Sequence, residues 1–196
     1  MKHAARVAVY ATALLSVTAC SLFPMKSEKS RLAWEARRER LSAIDTFTVQ
    51  ARVSSGGVFG VKGNLHWEQR GDVFQMRVAG PFGIGAANIS GRGKQIEIRT
   101  SKRTFTTEDP EHDLKERLGW AFPVMHLRYW VLGVPAPGSK AEVEYDRDGR
   151  LLSLAQDDWT MEVAEYQSAG ALELPRRFEV ANEEVRIKVV IDAWSL

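Results

Sequence analysis

One cysteine, Cys20, in a chain of 196 residues excludes an intramolecular disulfide, so packing and backbone hydrogen bonds must hold the fold. Long apolar runs are scarce as well. The longest, Val7 to Ala19, has 13 residues, against about 20 for a permanent membrane-spanning helix. Neither sign of charge dominates: 27 Lys and Arg face 25 Asp and Glu, and a net +2 gives nucleic acid no electrostatic foothold. A phosphate-binding loop is missing too, because "GIGAANISG" lacks the G-x-G-x-x-G spacing. Histidine is rare. His3 sits in the N-terminal run, His66 points outward between Leu65 and Trp67, and His126 starts an apolar helix, none beside a nucleophile motif. "DPEHD" places Asp109, Glu111, His112 and Asp113 together, but neighbouring helical residues project in different directions and make no metal cage. Helix capping accounts better for those acids. These absences point away from an enzyme, a metal and a nucleotide cofactor.

What is present begins at the N-terminus. Lys2 and Arg6 precede the apolar run, the pattern of a secretory signal; a buried N-terminal helix is the alternative. "VTAC", Val17 to Cys20, resembles the lipobox of bacterial lipoproteins, with Val17 where Leu is commoner. That resemblance implies cleavage before Cys20 and a diacylglycerol and an N-acyl chain on it. The chain then divides into a removed signal (1–19), a lipidated cysteine and polar tether (20–30) and one domain (31–196). Losing Lys2 and Arg6 leaves 25 basic against 25 acidic residues. Ser21 replaces the Asp that would resemble an inner-membrane retention signal, so the expected location is the periplasmic face of the outer membrane.

Periodicity gives the fold class. From Glu28 to Ile44 the pattern is helical, with Trp34, Leu41 and Ile44 on one stripe. Arg37, Arg38, Glu39 and Arg40 cover the rest, as a solvated face or, alternatively, a contact for anionic headgroups. Strand-like alternation follows: Phe47 to Val53, Phe59 to Trp67, Phe74 to Val78, and short runs to the C-terminus separated by turns such as "RGD", "RDGR" and "ANEE". Ten or eleven antiparallel strands predict a mainly β fold, a large curled sheet or barrel. Between Asp109 and Gly133 the strand period gives way to helix, opened by Asp109 as N-cap and Pro110, with Leu127, Trp130, Val131 and Val134 on one face. Those helices must bury their apolar faces, and the concave side of the sheet is available. Incomplete filling there would leave a greasy cavity. Six tryptophans, with Met76, Met125 and Met161, serve either as core or as walls of such a pocket. Candidate lining residues are Trp67, Met76, Met125, Leu127, Trp130 and Val131.

"GPFGIGA", Gly80 to Ala86, sets Phe82 and Ile84 among glycines and Pro81, which reads as a turn or loop. Its apolar residues either fold inward or meet something apolar outside.

Three stretches together resemble the LolB family of outer-membrane lipoprotein receptors. "LGWAFPVMHLRYWVLGVPAP" is similar to its LGW-x-x-P-V and W-V-x-G segments. "QDDWTMEVAEYQ" with "ELPRRFEV" resembles its Q-x-x-W strand and L-P segment, and "GNLHWEQRGDVFQMRVAGPFG" its central hairpin and loop. The resemblance implies a half-open barrel of about 11 strands whose helices cover a hydrophobic cavity. It implies a monomer without cofactor that accepts triacylated lipoproteins from a LolA-type periplasmic carrier, binds their acyl chains and inserts them into the inner leaflet of the outer membrane. "GPFG" aligns with the loop that delivers cargo, which puts Phe82, with Pro81 and Ile84 beside it, at the membrane; an inward Phe82 is the alternative. Arg31, Arg37, Arg38, Arg52 and Lys62 are candidates for carrier docking. The rival reading is an envelope lipid-binding or scaffold lipoprotein that transfers nothing.

Overall fold

The computed structural model describes residues 27–56, 62–80, 86–118 and 123–196. Cys20, Pro81, Phe82, Ile84 and Trp120, with the signal and most of the tether, lie outside the described residues.

Helix α1 (Glu28–Ser42) starts at Ser27, whose side chain accepts from the Ser30 amide. Six strands follow in order: β1 (Thr46–Ser55), β2 (Lys62–Arg70), β3 (Val73–Ala79), β4 (Ala87–Arg92), β5 (Gln95–Thr100) and β6 (Thr104–Thr107). Helices α2 (Pro110–Leu118) and α3 (Val124–Trp130) interrupt them. Five more strands complete the chain: β7 (Ala141–Tyr145), β8 (Leu151–Gln156), β9 (Trp159–Ala169), β10 (Leu172–Ala181) and β11 (Arg186–Ser195). All eleven pair antiparallel in one open sheet, ordered β6-β5-β4-β3-β2-β1-β11-β10-β9-β8-β7. Each half is a meander of neighbours in sequence, and β1 against β11 joins the halves.

This topology explains the helical interruption. β6 and β7 are consecutive in sequence yet occupy opposite edges of the sheet. The connection between them must cross from edge to edge. It carries α2 and α3, whose buried Leu114, Val124, Leu127 and Trp130 join the same core cluster as the sheet residues. Alternation does the rest. In β1, Phe47, Val49 and Ala51 are buried while Thr46, Gln50 and Arg52 are exposed.

The two ends of the sheet differ. Turns at 71–72, 93–94, 146–150 and 170–171 mark one end, which α1 crosses. There the Gly71 amide donates to the Asp45 carbonyl at 2.8 Å, and Trp34 stacks on Tyr145 with centroids 5.4 Å apart. Gly149, at φ +74°, sits so close to α1 that a Cβ would lie 2.5 Å from the Ala33 carbonyl carbon and the Trp34 nitrogen. The opposite end holds the Asp157–Asp158 turn, both residues at positive φ as a two-residue hairpin requires. It also holds the 182–185 and 101–103 turns, and the ends of β3 and β4 that flank residues 80–86.

Two expectations need correction. Helix α1 ends at Ser42, before Ile44. Arg37 does not belong to a solvated face: it is 8% exposed, because α1 lies across the sheet end and turns this residue inward. Its guanidinium donates to the Glu173 carbonyl and lies 5.5 Å from the Tyr166 ring centroid. Burial lowers its pKa from the ordinary arginine value.

Candidate functional site

The buried face of the sheet is the candidate site, and its lining follows from strand alternation. Trp67 on β2 and Met76 on β3 are direct cross-strand partners, 2% and 4% exposed. The Phe47 ring meets Trp67 edge-on at 5.2 Å. A buried indole needs an acceptor, and Trp67 Nε1 donates to Gln69 Oε1 at 3.1 Å. Gln69 Nε2 in turn donates to the Gly71 carbonyl at 2.8 Å, so this polar pair leaves the face apolar. Ile89, Ile96 and Ile98 extend the lining towards β6, and Leu154, Met161 and Phe178 extend it through the other half.

Helix α3 and the chain after it lie against this face, fixed by one side chain. Gln156, buried at the end of β8, accepts from Trp130 Nε1 at 3.0 Å and from the Ala136 amide at 3.0 Å. Its Nε2 donates to the Ala136 carbonyl at 2.8 Å and to Ser139 Oγ at 2.9 Å. Gln156 therefore links α3, the 131–139 segment and β8. Gly133 ends the helical path at φ +80°, and a Cβ there would stand 3.2 Å from Pro175 Cγ. The glycine of "WVLG" and the proline of "LP" thus meet in space.

The outer attachments of the cover are polar and partly exposed. His126 Nε2 lies 2.9 Å from Asp157 Oδ2, and its Nδ1 is 3.6 Å from Glu111 Oε1, an ion-pair distance too long for a good hydrogen bond. The Glu111 carboxylate, then Asp157, raises the His126 pKa above the ordinary value despite the opposing effect of burial. Lys115 of α2 meets Glu184 in the β10–β11 turn at 2.6 Å. Ser139 Oγ is 2.5 Å from Asp157 Oδ2, so the serine bonds the carboxylate and is not presented to the imidazole as a nucleophile would be.

Of the candidate lining residues, Trp67, Met76, Leu127, Trp130 and Val131 are buried in one cluster. Met125 is 38% exposed: with Val124, Leu127 and Trp130 facing the sheet, its position falls on the other side of α3. Among the described residues no group of three or more His, Cys, Asp or Glu could hold a metal ion. Asp109 Oδ1 instead accepts from the His112 amide at 3.3 Å as a helix cap, and Glu111 faces His126. Two described grooves, one of about 1050 Å³ between α1 and the 135–143 segment and one of about 760 Å³ beside the Asp157–Asp158 turn, include none of the six candidate lining residues. Periodicity missed Gln156 and the His126 clamp. The only signal for Gln156 was its place at the head of a Q-x-x-W segment.

A family model described as "Outer membrane lipoprotein LolB" matches residues 45–194. The chain is 37% identical over 170 residues to "Outer-membrane lipoprotein LolB" of Pseudomonas putida strain GB-1, covering 83% of this chain and 80% of the relative. It is 32% identical over 201 residues to the protein of that name from Pseudomonas aeruginosa strain LESB58, covering 97% and 96%. The same name belongs to a Chromohalobacter salexigens relative, 32% identical over 185 residues, covering 94% and 86%. Among solved structures, a LolA superfamily protein from Nitrosomonas europaea shares the fold: TM-score 0.53, 11% identity, 85% of this chain and 93% of that one. A DUF1329 family protein from Desulfovibrio piger does likewise: TM-score 0.54, 8% identity, 86% and 92%.

Proposed function

The chain belongs to the LolB family of outer-membrane lipoproteins, and on that premise we propose that it is the outer-membrane receptor that accepts triacylated lipoproteins from a LolA-type carrier. It binds their acyl chains and inserts them into the membrane, with no bond made or broken. The observation that carries this reading is an extended apolar sheet face, Trp67 and Met76 at its centre, covered by short helices whose outer ties are polar. A C16-type chain buries about 12 kcal/mol of hydrophobic free energy, at ~0.8 per methylene, so cargo cannot cross water unshielded. Displacing α2 and α3 uncovers a surface of the right chemistry without dismantling the sheet.

The remaining assignments follow from this role. Cys20 carries the acyl anchor at the periplasmic face of the outer membrane. The tether expected over 20–30 is shorter at its far end, because Glu28–Ser30 belong to α1, and the rest of the chain is a single, monomeric domain. Phe82, flanked by Pro81 and Ile84, enters lipid and lets cargo chains leave without meeting water. Trp67, Met76, Leu127, Trp130 and Val131 contact the acyl chains, with Met125 at the rim.

The test loads a LolA-type carrier with radiolabelled triacylated lipoprotein and adds the mature chain carrying C20S. Label moves to this chain without nucleotide. Label that stays on the carrier overturns the receptor reading and favours a scaffold. Phe82→Glu accepts label normally and fails to insert it into vesicles; normal insertion removes Phe82 from the role.

A further inference from the structure

Charge that is balanced overall is segregated between the two halves of the sheet. Residues 62–107 carry eight basic side chains against three acidic, Glu68, Asp72 and Glu97, a net +5. Residues 139–196 carry seven basic against thirteen acidic, a net −6. Ion pairing follows the same division. In the acidic half Arg150 pairs with Asp146 at 2.8 Å, Arg176 and Arg177 share Glu165 at 3.2 and 3.1 Å, and Arg186 holds Glu179. In the basic half Lys62, Arg77, Lys102 and Arg103 are exposed, and none has a carboxylate partner among the described residues.

The topology gathers these four cations at one sheet end. Lys62 opens β2, Arg77 lies two residues before the end of β3, and Lys102 and Arg103 form the β5–β6 turn. Arg77 stands opposite His66 on one side and Asn88 on the other, so no acid faces it across the strands. The strand ends at Ala79 and Ala87, which flank residues 80–86, lie among them. Cations without carboxylate partners among the described residues, at strand ends joined by the apolar sequence 80–86, form the usual combination for seating a protein on an anionic bilayer.

We propose that Lys62, Arg77, Lys102 and Arg103 form a binding surface for anionic phospholipid headgroups, which sets the β2–β6 part of this end, and not the acidic 157–158 and 182–185 turns of the other half, against the leaflet that receives cargo. The proposal rests on the receptor reading for its purpose, but the headgroup contact can be measured without cargo. A protein partner fits less well. The cations are spread over three hairpins on a rim, a layout suited to a plane of mobile charges, and an acyl anchor keeps such a plane within reach.

The decisive experiment floats the mature chain carrying C20S with vesicles of phosphatidylethanolamine alone or with roughly a third phosphatidylglycerol. Binding to the anionic vesicles is stronger on the order of tenfold, and the preference fades near 0.5 M salt as screening shortens the range. K62S/R77S/K102S/R103S abolishes the preference, and K102S/R103S alone, confined to one exposed turn, reduces it. Equal binding to both vesicles by the unmodified chain overturns the proposal. So does a preference that survives in a folded quadruple variant. A parallel transfer assay separates the readings: loss of cargo acceptance in the variant makes the patch a carrier-docking surface and overturns the membrane assignment. Failure of the unmodified chain to accept cargo, with anionic binding intact, sinks the receptor reading alone.

Discussion

The two ends of the sheet are closed in opposite ways. At one, α1 lies on the Gly149 turn with no room for a Cβ, Trp34 stacks on Tyr145, and Tyr166 is held between the guanidinium groups of Arg37 and Arg150, 5.5 and 5.6 Å from its centroid. At the other, α2 and α3 are tied down by Lys115–Glu184 and by His126 between Glu111 and Asp157. Contacts of the first kind lose tightly fitted backbone and buried area when broken. Of the second kind, the exposed Lys115–Glu184 pair exchanges its partner for water at little cost, whereas the buried Gln156 bonds and the apolar faces of α2 and α3 beneath it do not. The difference marks the α1 end as the one that maintains the sheet and the outer ties of α2 and α3 as the weaker fastening, which is the end the proposed function needs to open.

Gly149→Val strikes the closed end and has the largest expected effect. A side chain there meets backbone at 2.5 Å on a residue held at φ +74°, so destabilisation of about 4 kcal/mol should appear in urea unfolding. Gln156→Ala sharpens the comparison from the middle of the molecule. It leaves the Trp130 indole and both Ala136 backbone groups without their buried partner, for about 3 kcal/mol. Lys115→Gln at the opposite end removes a pair more than half-exposed on the lysine side, so unfolding free energy changes by less than about 1 kcal/mol. Cargo exchange should nonetheless quicken. A stability loss as large as that of Gly149→Val would erase the distinction between the ends.

His126 gives the smallest and most specific effect. Its folded pKa is raised, so the clamp contributes fully below the ordinary value of 6.5 and is lost as pH rises through the raised value. Hydrogen exchange of α3 amides, corrected for intrinsic rates, should therefore increase across that window and level off above it. His126→Gln should flatten the profile, while α1 amides show no such step in either protein.

Much of this was legible in the sequence. Alternation from Phe47 onward marks the strands because a sheet with one buried face sorts its residues with period 2, and Asp109–Pro110 announces α2. The edge-to-edge path of α2 and α3 was not legible, since strand order is a property of pairing between distant segments. Arg37 read as solvated because helical periodicity cannot foresee the Tyr166 ring and the Glu173 carbonyl, the latter 136 residues along the chain. Gln156 and His126 were hidden for the same reason: each is polar in a local pattern and acquires its role only from partners on other elements. Met125 shows the limit from the other side, because an apolar residue in an apolar helix can still face out.

The most direct measurement asks where an acyl chain goes. A photo-crosslinking residue is placed at Leu65, partly buried and packed against the core, and in a second protein at Leu152, 45% exposed. Each is given lipoprotein with a radiolabelled acyl chain from a loaded carrier, then illuminated. The label should attach at position 65 and leave position 152 unmarked. Equal labelling at both positions, or labelling at 152 alone, would contradict an acyl-binding face on the inner side of the sheet.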